Sequence, residues 1–217
     1  MTMNPLIRMT AALTFAGLSM GAFAQAKNFE GMNATASIGY QSATTKLTDV
    51  NVVGLTVSDG SPAGAAVNLG LEYIASINDQ YTLGLGVDTN LLASNSGGID
   101  ATINGVLLQS GKTKVSNSYS LFVSPGIAVS NETLIYSKLG YVQMTTKTDL
   151  DQGDLPSSTL TGYSLGLGFK QLMGKNTFLF GEFNYITLQS LDGASGGNTY
   201  KTGGSAMNGA VGIGYKF

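Results

Sequence analysis

Val211-Gly212-Ile213-Gly214-Tyr215-Lys216-Phe217 alternates an apolar residue with a glycine or a lysine. A period of two marks a β-strand with one apolar face and one small or polar face. The strand runs to the last residue and stops on an aromatic ring. In water a terminal strand frays. In a closed barrel within lipid it is paired on both edges, because no backbone group can be left unsatisfied there. This stretch therefore predicts the closing strand of a transmembrane β-barrel.

Working outward, the same alternation recurs and predicts eight strands. They cover about Asn33–Thr44, Ala66–Ile77, Tyr81–Leu92, Asn117–Val129, Leu134–Thr145, Leu160–Leu172, Thr177–Leu188 and the terminal strand. Each is near the roughly 9–11 residues that a tilted strand needs to cross a bilayer. One face carries Ala36, Ile38 and Tyr40, then Leu69, Leu71 and Tyr73, Leu83, Leu85 and Val87, and Leu165, Leu167 and Phe169. The opposite face carries glycine, Asn and a few charges. Pro125 lies inside the fourth strand and suggests a bulge, since proline cannot donate to a ladder. The connections alternate in length. Short turns fall around Asp79, Asn131 and Lys175; long polar stretches cover Thr45–Gly64, Ala93–Ser116, Thr146–Thr159 and Ser190–Gly204. Short turns on one side and long loops on the other are the organisation of outer-membrane barrels.

Composition agrees. Charged residues make up 11% of the 217-residue chain, against roughly 25% in ordinary globular proteins. No apolar run is long enough for a spanning helix. The net charge of −2 and the lack of a basic patch make nucleic acid an unexpected partner. Arg8, the apolar run from Ala11 and the small residues of Ala22-Phe23-Ala24 read as an export signal. The expected division is a cleaved signal peptide over residues 1–24 and one barrel domain over 25–217.

Leu69-Gly70-Leu71-Glu72-Tyr73, Leu83-Gly84-Leu85-Gly86, Tyr136-Ser137-Lys138-Leu139-Gly140-Tyr141, Leu165-Gly166-Leu167-Gly168, Gly181-Glu182-Phe183-Asn184-Tyr185 and the terminal Gly214-Tyr215-Lys216-Phe217 resemble the small outer-membrane β-barrels of Gram-negative bacteria. That group includes the opacity-like porins and the membrane domain of outer membrane protein A. The resemblance covers the whole chain after the export signal. It implies an integral outer-membrane location, with outer-membrane lipid and lipopolysaccharide as surroundings and a monomeric state. It also implies that Tyr215 and Phe217 signal to the barrel-assembly machinery. Tryptophan is absent, so Tyr40, Tyr73, Tyr81, Tyr119, Tyr163 and Phe169 are expected at the interfacial girdles.

The chain has no histidine and no cysteine. Histidine-dependent triads and dyads are excluded, and the commonest metal ligands are missing. No enzyme activity, cofactor or metal is expected. Asp149-Leu150-Asp151-Gln152-Gly153-Asp154 lacks the spacing and closing Glu of a calcium loop and reads as a solvated acidic loop. Inward-facing Glu72, Asp88, Lys138, Lys170, Glu182 and Lys216 balance in sign and are the candidate lumen charge network. In a ring of eight strands, whose interior is just wide enough for side chains to fill, lysines and acids meet across the lumen, and Lys170 also comes within reach of Glu182. Two functions follow. A surface scaffold uses the network as a plug and displays its loops, with Lys112, Lys114, Asp149, Asp151, Asp154 and Tyr200 as loop candidates for an extracellular ligand. A small porin uses the same charges as a constriction. A soluble lipocalin-type barrel would reverse the two faces.

Overall fold

The computed structural model describes residues 25–48, 55–58, 61–92, 97–150, 157–195 and 198–217. The expected signal peptide, and Asp151 and Asp154 of the acidic loop, lie outside these residues. The described chain contains one 3-10 turn, Ala26–Phe29, and ten strands. In chain order they are β1 (Gly31–Thr48), β2 (Leu55–Val57), β3 (Ala63–Ser76), β4 (Tyr81–Asn90) and β5 (Gly97–Ile103). Then come β6 (Val106–Ala128), β7 (Thr133–Leu150), β8 (Ser158–Leu172), β9 (Thr177–Ser195) and β10 (Asn198–Lys216).

Eight of these close a ring. The order β6-β4-β3-β1-β10-β9-β8-β7 returns to β6 through the β6–β7 ladder, with every pairing antiparallel. Closure leaves no edge within the wall, as a strand structure in lipid requires. Phe217 lies just past β10, and its backbone N–H donates to Met32 O at 2.9 Å. The two remaining strands, β2 and β5, continue the sheet from the upper part of β6.

Alternation sorts the side chains. Leu69, Leu71, Leu83, Leu85, Leu121, Leu139, Leu165, Leu167, Phe183, Val211 and Ile213 are all exposed on the outer face, where lipid replaces water. An upper ring of Tyr40, Tyr119, Tyr141, Tyr163 and Tyr185 and a lower set of Tyr73, Tyr81, Phe169, Tyr215 and Phe217 bound this band. Amphipathic rings favour these interfaces.

The turns are 77–80, 129–132 and 173–176. Asn78 Oδ1 accepts from the backbone N–H groups of Gln80 and Tyr81 at 2.9 and 2.8 Å. Ser130 Oγ does the same for Glu132 and Thr133. Short polar side chains that bond two or three residues ahead hold a chain reversal.

Two expectations are corrected. The long polar stretches contain strand among their described residues: Ala93–Ser116 contains β5 and the upper half of β6, and β1, β7, β9 and β10 also run beyond their expected ends. Asn104 and Gly105 both have positive φ (50° and 81°) and form the tight turn between β5 and β6, the geometry that an Asn-Gly pair favours in hairpins. Pro125 causes no bulge. The β6–β7 ladder skips Ser124 and Pro125 and resumes in the same register, Val123↔Leu139 and Gly126↔Tyr136. A missing N–H removes a bond without inserting a residue. On the β6–β7 ladder the bulge is at Ser116, between Val115 and Asn117.

The interior is layered. At the turn end, Ala26 and Phe29 insert among Ile74, Ala128, Leu134, Leu172, Phe178 and Phe180. At the loop end, Ala43, Val115, Val142, Met144, Leu160, Ile186, Leu188 and Ala206 form a second apolar cluster. A polar layer lies between them.

Candidate functional site in the barrel lumen

The polar layer is built from even-numbered positions on neighbouring strands, which period-two alternation turns inward. β3 supplies Glu72, β4 Asp88, β6 Phe122 and Ser124, β7 Tyr136 and Lys138, β8 Lys170, and β9 Glu182 and Asn184. Glu72, Lys138 and Lys170 are only 6%, 5% and 4% exposed.

Two ion-pair groups result. Lys170 Nζ crosses the lumen to Glu72 Oε2, while Ser124 Oγ donates to Glu72 Oε1. Lys138 Nζ bridges Asp88 Oδ2 at 2.5 Å and Glu182 Oε1 at 2.8 Å. Glu182 also accepts from Tyr136 OH at 2.9 Å and from Asn184 Nδ2 at 2.6 Å. Both ammonium groups lie near aromatic rings. Lys138 Nζ is 4.1 Å from the Phe122 centroid, and Lys170 Nζ is 5.1 Å from that of Tyr136 and 5.4 Å from that of Phe178. Such positions are electrostatically favourable for a desolvated cation. Each buried charge thus has an opposite charge and further polar or π partners, the condition under which burial is tolerated.

Inward glycines make the space. A Cβ at Gly84 would collide with Glu72 Oε1 and Ser124 Oγ, and one at Gly168 would collide with the Tyr136 ring. A cavity of about 90 Å³ remains, lined by Asp88, Ser120, Lys138, Glu182, Asn184 and Asn208 among others. That is room for a few water molecules. Ser120 Oγ and Asn184 Oδ1 are buried without a protein partner, and buried groups of this kind are normally satisfied by water.

Lys170 reaches Glu72 rather than Glu182. Lys216 does not join the group: its Nζ donates to Asn28 O at 2.7 Å at the turn end of the barrel. There it helps to seat the 3-10 turn. Ala26 N–H donates to Asp79 O and Asn28 Nδ2 to Asn131 O, both at 2.9 Å. Glu30 Oε2 accepts from Ser76 Oγ. Sequence reasoning missed this stopper because four residues carry no periodic signal. It missed Ser124 and Phe122 as partners, although both share the parity of the inward face. Among the described residues no cluster of acids suits a metal ion.

The architecture has known counterparts. Residues 10–217 match the family model described as outer membrane protein β-barrel domain. No curated protein matches the chain. Among solved structures, the outer membrane protease OmpT from Escherichia coli is 11% identical, with 86% of this chain and 97% of that one covered and a TM-score of 0.56. The outer membrane protein OprG from Pseudomonas aeruginosa is 18% identical, with 87% and 96% covered and a TM-score of 0.50. Ail, the attachment invasion locus protein of Yersinia pestis, solved with the heparin analogue sucrose octasulfate, is 19% identical, with 87% and 99% covered and a TM-score of 0.45.

Proposed function

This chain belongs to the outer membrane protein β-barrel family and is an integral outer-membrane protein of Gram-negative type, and from that premise we propose that it is a non-conducting surface scaffold. The observation that carries this reading is closure of the lumen at two levels. The Ala26–Phe29 stopper fills one end and the Ala43–Met144–Leu188 cluster the other. An ion moving between them would leave a hydrated layer for an apolar one, which is unfavourable without a water-filled path. Function then resides in the extracellular ends of the strands, since rigid scaffolds present binding residues at their connections.

The alternative is a small pore. The small polar cavity beside Lys138 and Glu182 favours it, because a polar chamber is half of a conduction path. Catalysis is not part of the proposal: the fold is shared with a protease, but this chain has no histidine. The remaining assignments are proposals of the same kind. Residues 1–24 are removed on export, leaving Gln25 as the first residue, just before the stopper. Tyr215 and Phe217 address the chain to the assembly machinery. The closed ring works as a monomer.

Planar-bilayer recording of the refolded chain tests the central reading. The expected record is silent in a sample shown by proteolysis to be inserted. Discrete steps altered by Lys138→Ala and Glu182→Gln would replace the scaffold by the pore.

A further inference from the structure

The upper half of β6 carries a second bulge, on its β5 side. The ladder runs Ile103↔Val106 and Thr102↔Leu107, then Ala101↔Gln109, so Leu108 has no counterpart of its own. Asn104 and Gly105 close this hairpin in two residues, both at positive φ, and such a turn fixes the register of the strands that leave it. A bulge re-aims side chains, and here none of the three residues after the turn is tucked away. Val106, Leu107 and Leu108 are 67%, 57% and 52% exposed. Three consecutive strand residues cover both faces, so the hairpin ends in an apolar point rather than an apolar face.

The base of the hairpin is polar and fixed. Ser58 N–H donates to Asp100 O at 2.9 Å; Asp100 N–H donates to Ser58 Oγ, and Ser110 Oγ to Asp100 Oδ1, both at 2.8 Å. β2 pairs with β5 and β5 with β6, so folding the leucines back would break these ladders. No charged residue stands between Asp100 and Lys112. An exposed apolar point on a rigid polar support marks an interaction site.

Its height excludes the protein's own bilayer as the occupant. Leu108 is eleven residues above Tyr119 on β6, and Tyr119 belongs to the upper ring of exposed tyrosines that marks the headgroup level. At about 3.3 Å per residue and about 45° of tilt, this is roughly 25 Å along the membrane normal. The headgroup layer is roughly 5–8 Å thick on each side. Its shape excludes a stable protein interface, which takes about 800 Å² from each partner; three side chains on a convex end do not supply that. A bilayer needs no matching pocket. Apolar side chains on a polar support seat at the boundary of headgroups and acyl chains, with a strength set by the apolar area buried.

We propose that the β5–β6 hairpin end inserts into a second membrane facing the cell, with Val106, Leu107 and Leu108 entering its near leaflet. The proposal rests on the reading that function resides at the extracellular ends of the strands. It is independent of whether the lumen conducts, so failure of either shows separately. One hairpin buries little area, so a single copy holds weakly and many copies on one surface hold strongly. The point carries no charge, so insertion needs no anionic lipid and withstands salt.

The chain has no tryptophan, so Leu107→Trp carries the sole indole. This variant, refolded in nanodiscs, is mixed with phosphatidylcholine vesicles whose acyl chains are brominated. Its emission is expected to shift to the blue and to be quenched by the vesicles, with or without about 0.5 M salt. Lys147→Trp, lower on the wall, is expected to show neither effect. No shift and no quenching at Leu107→Trp overturns the proposal. A blue emission already present in nanodiscs without vesicles also overturns it, and gives the point to the protein's own bilayer or to a second copy. In parallel, proteoliposomes crowded with the wild type are expected to cluster phosphatidylcholine vesicles, and Leu107→Ser/Leu108→Ser to weaken this by about tenfold or more. Unchanged clustering overturns the proposal. Should the double variant fail to fold, the Leu107→Trp measurement decides alone.

Discussion

The lower and upper halves of β6 and β7 are continuous strands in different solvents. Below Ser116 the outer face reads Ile127, Val123, Leu121 and Tyr119 on β6 and Ile135, Leu139 and Tyr141 on β7, all exposed to lipid. Above it the outer face carries Lys112, Lys114 and Lys147, and the β5–β6 hairpin exposes Val106, Leu107 and Leu108 at its tip. Below, a one-residue slip would carry charge into hydrocarbon and apolar side chains into a charged lumen, so register is strongly specified. Above, the outer face meets polar surroundings and the register tolerates a bulge. The difference teaches that the strand pattern of this protein is imposed by the membrane rather than by strand formation itself.

The comparison breaks most sharply at buried charge. Glu72→Gln leaves Lys170 without its carboxylate inside the lumen and is expected to destabilise the barrel by about 3–5 kcal/mol. Lys112→Gln, exposed above the membrane, is expected to change stability by less than about 0.5 kcal/mol. Urea unfolding of both variants in lipid vesicles measures the gap, and equal midpoints would show that the Lys170–Glu72 pair contributes nothing.

A charge on the outer wall should come next. Leu167→Arg places a cation in mid-membrane on β8 and is expected to cost about 2–4 kcal/mol. The same change at Leu108, on the hairpin tip, should again stay within about 0.5 kcal/mol. Folding yield in vesicles, followed by the heat-modifiable shift on a detergent gel, reads both. Normal assembly of Leu167→Arg would place that face away from lipid.

The smallest of the three effects is expected at Glu182. Lys138 keeps Asp88 when Glu182→Gln is made, and the amide oxygen still accepts from Tyr136. A loss of about 1–3 kcal/mol follows from the weakened bonds. A loss as large as that of Glu72→Gln would mean that the two ion-pair groups act as one.

Much of this was readable from the chain. Leu165-Gly166-Leu167-Gly168 and its counterparts predict the wall, its two faces and the three short turns, because lipid on one side and a narrow lumen on the other permit no other use of alternation. Glu72, Asp88, Lys138, Lys170 and Glu182 were readable as inward for the same reason. The upper strands were not, because Ala93–Ser116 lacks the lipid-facing apolar stripe; its one local signal was the Asn104-Gly105 turn. The stopper formed by Ala26 and Phe29 was invisible, since its apolar neighbours come from β3, β6, β7, β8 and β9.

By itself, then, the sequence determined the barrel, its lipid-facing band and the sign of the charges inside it, since period-two alternation in a membrane is a local property of each strand. Only the tertiary structure decided that Lys170 meets Glu72, that Lys216 serves the stopper and that Lys112 and Lys114 turn outward beside Lys147. Those outcomes depend on shear, cross-lumen distance and a single bulge, which arise only when the eight strands close on one another.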